Sequence, residues 1–373
     1  DRIYLDFKPR RERLNGGVAY HDSSYANEGV HLNWDYINTP DAFEDSDMSI
    51  LEAWEFTKGD STVKVAVSGG YVYAAPFGDS GPQQAELSGN ILAGTNYLYR
   101  LFHEIMVLNL SPDSSLYDEN NTWLPWNSSN PGNDASVVHG TTCAKIICAK
   151  HDTTSDTSGN AFNGCVGFAP EVKVIPVIGY YGSMYAEAIL DAASRGATAF
   201  SHSMPIPLDS AFLRYQSWDS TWNITYNYPN HDIVRDAAEA AYSQTGMLFV
   251  NAFGNESGYP QPISSSPHGL AVATFSGGEK GEISLSGSDV TICGNGGYGG
   301  GTSFAAPTVA AVAALIKSFR PEMNGNAIRE KLLHSTNPLH DSLWNPDTSI
   351  SQLGCGALDA YQAISTRLDT DIS

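Results

Sequence analysis

The stretch Gly301-Thr302-Ser303-Phe304-Ala305-Ala306-Pro307 runs without a break into Thr308-Val309-Ala310-Ala311-Val312-Ala313-Ala314-Leu315-Ile316. Small and apolar residues dominate its second half, and the pattern predicts a long helix over 302–319. A serine at a helix start is ordinarily a cap. Here the approach is Gly-rich, from Gly296 to Gly301 around Tyr298, which lets another backbone come close. The Ser303 N–H falls among the helix's free donors. A serine so placed offers a hydroxyl nucleophile together with a backbone donor for a developing oxyanion.

Two further blocks share this character. His139-Gly140-Thr141-Thr142-Cys143-Ala144 opens a second predicted helix, Val138 to Lys150. Asn251-Ala252-Phe253-Gly254-Asn255-Glu256 follows the predicted strand Met247 to Asn251. An Asn beside a Gly is usually a turn residue. The amide of Asn255 is also suited to a second oxyanion donor.

Around these blocks, short apolar strands alternate with helices. Strands are predicted at Val63–Val67, Val172–Ile178, Ala197–Met204 and Leu270–Phe275, and helices at Met184–Ala193, His231–Gln244, Asn326–His334 and Ala357–Leu368. The strands are apolar throughout rather than alternating, which favours a parallel sheet covered on both faces. The reading is an α/β domain over 31–373, preceded by an extension over 1–30 and carrying an insertion around 74–100.

Composition narrows the partners. Across 373 residues, Lys plus Arg number 20 and Asp plus Glu 41, a net charge of −21. Nucleic acid and anionic membrane surfaces repel such a chain. The longest apolar run, Ala305 to Ile316, is too short to span a bilayer. The first residue is Asp1 and no signal or transit pattern precedes the polar start, as expected of a processed secreted protein or a trimmed chain. The five cysteines (Cys143, Cys148, Cys165, Cys293, Cys355) do not make a disulfide scaffold or a zinc spacing. Cys143 and Cys148 point to different faces of their helix, which leaves Cys148 with Cys165 as an open pairing. Asn-x-Ser/Thr sequons begin at Asn109, Asn120, Asn127, Asn223 and Asn255.

The three blocks resemble, in order along the chain, the HGT-x-x-A, A-x-G-N-E and GTS-x-A-x-P motifs of the subtilisin-like serine peptidases. His31-Leu-Asn-Trp34, Ala53-Trp54 and Gly167-Phe-Ala-Pro170 are similar to further family segments, and Cys143 sits where a Cys follows the histidine in proteinase K-like members. The resemblance implies a mostly parallel central sheet with helices on both faces and a serine endopeptidase working by acyl transfer. Ser303 would attack, His139 would act as base, and Asn255 with the Ser303 N–H would hold the oxyanion. It implies protein or peptide substrates, a propeptide or inhibitor as partner, and a secreted or extracytoplasmic setting. The chemistry needs no cofactor, while structural calcium is a family habit whose ligands the sequence does not name.

Two positions depart from the family. Val63 to Val67 matches the strand that ends in the triad aspartate, but the next residues are Ser68, Gly69 and Gly70. The third-member position falls on Ser68 or Gly69, neither a carboxylate. Asp79, Glu104 and Asp134 lie between this strand and His139 as candidate substitutes, and the Ser68 hydroxyl is a weak alternative. In the substrate-binding segment, Ser203-Met204-Pro205 has proline where the family has glycine, so a donor to a bound peptide strand is missing. These departures frame the alternative, a catalytically impaired pseudopeptidase serving as a binding or scaffold protein.

Overall fold

The computed structural model describes residues 48–70, 72, 87, 89–96, 135–150, 167–179, 182–204, 229–254, 268–275, 292–295, 301–337 and 354–366. The strands are β1 (Lys64–Ser68), β2 (Thr95–Asn96), β3 (Lys173–Ile178), β4 (Ala197–His202), β5 (Leu248–Ala252), β6 (Leu270–Phe275), β7 (Ile292–Asn295), β8 (Thr336–Asn337) and β9 (Ala357–Leu358). The helices are α1 (Ile50–Ala53), α2 (Ala135–Cys148), α3 (Gly182–Ser194), α4 (Pro229–Thr245), α5 (Thr302–Phe319), α6 (Gly325–His334) and α7 (Ala360–Ser365).

Among the described residues the strands form one sheet in the order β2-β3-β1-β4-β5-β6-β7-β9-β8. All neighbours pair in parallel except β8 with β9. The apolar strand runs are explained by burial on both faces. Val65, Val67, Ala199, Leu248 and Val250 pack with α2 and α5 on one face. Ala66, Ile175, Phe200 and Phe249 pack with α3 and α4 on the other. Each fully buried Val, Leu, Ile or Phe contributes about 1.5–3 kcal/mol. The chain order reverses at β1, which has β3 on one side and β4 on the other. Ligand clefts of open α/β sheets lie at such a reversal, outside the carboxyl ends of the strands.

Helix α5 is long and apolar enough to cross a membrane, but its residues from Ala305 to Ile316 are buried between α2 and the sheet. Its apolarity therefore belongs to the core.

The expected strands and most of the helices are present. Three differences have local causes. Ala357 and Leu358, expected to start a helix, pair with β7 and β8 instead. The helix begins only after Asp359, whose carboxylate accepts the Gln362 N–H at 2.8 Å. Helix α2 starts at Ala135, so His139 lies in its second turn. Strands β2 and β7 were not anticipated, because neither has a run of apolar residues. Residues 89–96, within the stretch read as an insertion, include edge strand β2 and the buried Asn90, whose amide donates to the carbonyls of Cys148 and Pro170. The extension over 1–30 and all five sequons lie outside the described residues.

Candidate active site

The site is assembled from the first turn of α5, the second turn of α2 and the ends of β1 and β4. Gly301 precedes α5 with extended backbone and provides no side-chain cap. Ser303 is partly exposed, and its N–H has no partner among the described residues. Thr302 before it is buried, and its hydroxyl accepts the Gly254 N–H at 3.0 Å. That bond ties the loop leaving β5 to the start of α5, one residue before Asn255. Asn255 itself lies outside the described residues.

Pro307 has a specific effect here. A helical residue at this position would donate its N–H to the Ser303 carbonyl, and proline has none to give. The freed carbonyl accepts instead from the Ser203 hydroxyl at 2.7 Å and from the Cys143 thiol at 3.6 Å. The start of α5 is thereby bound to the end of β4 and to α2. In return, the Ser303 hydroxyl donates to the Ser203 carbonyl at 3.3 Å. No hydrogen bond joins it to His139 among the described residues.

His139 is partly buried, with its ring 5.4 Å from that of Phe304. Its Nδ1–H donates to the backbone carbonyl of Gly69, 2.6 Å away. A carbonyl oxygen only accepts, so Nδ1 carries a proton, and in the neutral imidazole Nε2 keeps its lone pair. This is the tautomer a general base requires. Of the two candidate third-member positions, Gly69 meets the histidine, through its backbone. Ser68 does not: its side chain faces the α3 side of the sheet, where its hydroxyl lies 3.2 Å from His202 Nδ1. Strand alternation explains this, since Ser68 shares the face of Ala66.

Gly69 also permits a close approach. A Cβ there would sit 2.9 Å from Cys143 Sγ and 3.2 Å from Cys143 Cβ. The bare backbone therefore comes nearer to α2 than any side chain would allow. Burial pushes the Cys143 thiol up to about 12, so it stays protonated and serves as a donor rather than a competing nucleophile.

Ser203 belongs to the cluster, Met204 lies partly buried just beyond β4, and Pro205 is outside the described residues. So are Asp79, Glu104 and Asp134. Cys148 is a buried free thiol, which overturns its pairing with Cys165. Among the described residues no three carboxylate, His or Cys side chains come together to hold a metal ion. Sequence reasoning missed the Gly69 carbonyl, because a residue string displays side chains and not main-chain oxygens. It also missed His202, whose one signal was a titratable residue inside an apolar strand.

The comparisons agree with this frame. A model of the subtilase family matches residues 60–356. Among solved structures, MycP1 with its N-terminal propeptide removed is 19% identical, covering 86% of this chain and 96% of that one with a TM-score of 0.57. The prenylagaramide maturation protease PagA is 21% identical over 84% of this chain and 96% of its own, with a TM-score of 0.55. A protease of Pseudoalteromonas arctica is 21% identical over 86% of this chain and 94% of its own, with a TM-score of 0.58. At these identities the likeness is one of fold. No curated protein matches the chain. With a family match over most of its length, and with the His and Ser motif residues brought to one end of a parallel sheet, the chain belongs to the subtilase family of serine peptidases.

Proposed function

We propose that the protein is a serine endopeptidase acting through Ser303 and His139, with the Gly69 carbonyl in place of the triad aspartate. The observation that carries this reading is the 2.6 Å bond from His139 Nδ1 to that carbonyl. It fixes the ring's orientation and leaves Nε2 as the base. To react, the Ser303 hydroxyl turns from the Ser203 carbonyl towards His139. Its oxygen then attacks the peptide carbonyl carbon while Nε2 takes its proton. The Ser303 N–H and the Asn255 amide hold the oxyanion. The imidazolium returns the proton to the leaving amine, and water, deprotonated by the same nitrogen, releases the acyl group.

A carbonyl supplies the orientation of a carboxylate without its charge. In serine peptidase triads, exchanging the Asp for Asn costs about 10⁴-fold in turnover, largely because the tautomer becomes wrong. Here the tautomer is right, so the deficit is smaller than that. Turnover is slow but real. The substrates are proteins or peptides, in keeping with the family, and Pro205 removes a backbone donor from the edge where an extended peptide would pair. The acidity of the chain, at −21, fits an extracytoplasmic setting. MycP1 is described as a component of a secretion system and has a propeptide, and a comparable segment is proposed as a partner here.

One observation favours the second reading, a pseudopeptidase: the Ser303 hydroxyl is engaged by the Ser203 carbonyl and not by His139. A fluorophosphonate probe separates the two. The peptidase reading expects covalent labelling of the folded protein at Ser303, abolished by Ser303→Ala. Absence of labelling at any probe concentration establishes the pseudopeptidase.

A further inference from the structure

Behind the site, on the α3 face, a row of buried polar side chains lies across the ends of three strands. Ser68, His202 and Asn251 are register partners across β1, β4 and β5, and all are buried. His202 is fully enclosed, with the Tyr185 ring edge-on at 4.7 Å and Phe249 at 5.9 Å. Its Nδ1 lies 3.2 Å from the Ser68 hydroxyl and the ring is also within reach of the Met204 backbone, while its Nε2 has no close hydrogen-bond partner among the described residues. An apolar residue would fill this place without leaving a buried nitrogen unsatisfied. The polar pair is a cost to the core that the fold alone does not explain.

We propose that Ser68 and His202 are positioning residues that aim the Gly69 carbonyl at His139. Ser68 is held on two sides. Its carbonyl accepts the Ser203 N–H at 2.7 Å, and its hydroxyl meets His202. The next peptide carries the carbonyl that His139 uses. Gly69 has no side chain to anchor it, and Gly70 follows at φ 108°, so the chain turns away from the sheet at once. The orientation of the Gly69 peptide is therefore inherited from Ser68. An aspartate would place its carboxylate by its own rotamer; a main-chain oxygen is placed by the strand, and the strand end is what the pair fixes. His202 acts from the far side of the sheet and touches neither substrate nor the reacting atoms.

This inference rests on the peptidase reading above, and the test keeps the two apart. In the full chain, Ser68→Ala removes the hydroxyl with little change in volume, and Ser68→Thr keeps it. Two quantities are followed: the proton resonance of His139 Nδ1–H, and kcat against KM on a peptide substrate. The expected result for Ser68→Ala is a shifted or broadened resonance and a kcat lowered between about 10- and 100-fold at unchanged KM. Ser68→Thr restores both, and His202→Leu reproduces the Ser68→Ala behaviour. An unaltered His139 resonance in both Ser68→Ala and His202→Leu overturns the proposal, whatever the activity. If the wild-type protein neither labels nor turns over, the peptidase reading fails, and the resonance still decides whether the pair aims the carbonyl.

Discussion

Two element ends lie beside His139, and they match the family's motifs to different degrees. At the start of α5, Ser303 keeps its motif, an N–H with no partner among the described residues and a carbonyl released by Pro307. At the end of β1, the strand matches but no carboxylate stands at Ser68 or Gly69, and among the described residues it is the Gly69 main chain that meets the histidine. The difference teaches what each group must supply. A nucleophile needs one atom of one element, which no backbone group replaces. An orienting acceptor needs a lone pair in the right place, which a carbonyl provides.

If that division holds, changes on the α5 side have the larger effects. Ser303→Ala lowers turnover by about 10⁴- to 10⁵-fold, less than the roughly 10⁶ of an intact triad because part of that rate is already forgone at Gly69, read in a peptide cleavage assay. A residual rate close to wild type would put the chemistry elsewhere. Asn255→Ala loses between about 10²- and 10³-fold in kcat, as expected for one oxyanion donor. A loss confined to KM would mean that this amide binds substrate and not the oxyanion.

On the β1 side the decisive change adds a group. Gly69→Asp alone is expected to gain nothing and to destabilise by about 1–3 kcal/mol, because the new Cβ meets Cys143 at 2.9 Å. Combined with Cys143→Ala, which removes that contact, it raises kcat by tens of fold, bounded by the roughly 10⁴ attached to the acidic member. Equal rates for the double variant and Cys143→Ala would show that the carbonyl already does all that a carboxylate can.

The last test reads stability, not turnover, against pH. Burial lowers His202, behind β1, from the ordinary 6.5 to about 3. The unfolded chain takes up that proton first, so stability falls as pH drops from about 6.5 to about 3, by at most about 1.4 kcal/mol per unit. Burial raises the thiols of Cys143 and Cys148 in α2, and of Cys293, from 9.0 to about 12. The unfolded chain ionises these first, so stability falls again as pH rises from 9.0 towards about 12. Melting temperatures across pH check both arms. His202→Leu should flatten the acid arm alone, and Cys143→Ala should weaken the alkaline one.

Much of this architecture is legible in the residues. Val63 to Val67 and Val172 to Ile178 read as buried strands because they are apolar on both faces, and β1 and β3 lie there. The motifs around His139 and Ser303 mark residues that the fold brings to one place. The Ala357 start of the last helix misleads because Ala and Leu suit helices, while pairing with β7 and β8 decides otherwise. A signal was present even so: Asp359-Ala-Tyr-Gln362 is a capping pattern, and it marks the true helix start. The carbonyl acceptor had no such signal. Every residue carries the same main-chain carbonyl, and only the meeting of β1 with α2 selects this one.

The contact between Gly69 and Cys143 also bears on how such a site changes over generations. Two of the four glycine codons lie a single base change from an aspartate codon, so an acid here is genetically within reach. Sterically its Cβ would meet the thiol at 2.9 Å, a contact that the Cys143 side chain must move to relieve. An acid at this position is therefore accommodated most readily once the thiol has yielded, so packing at this junction, and not chemistry alone, governs which change is tolerated.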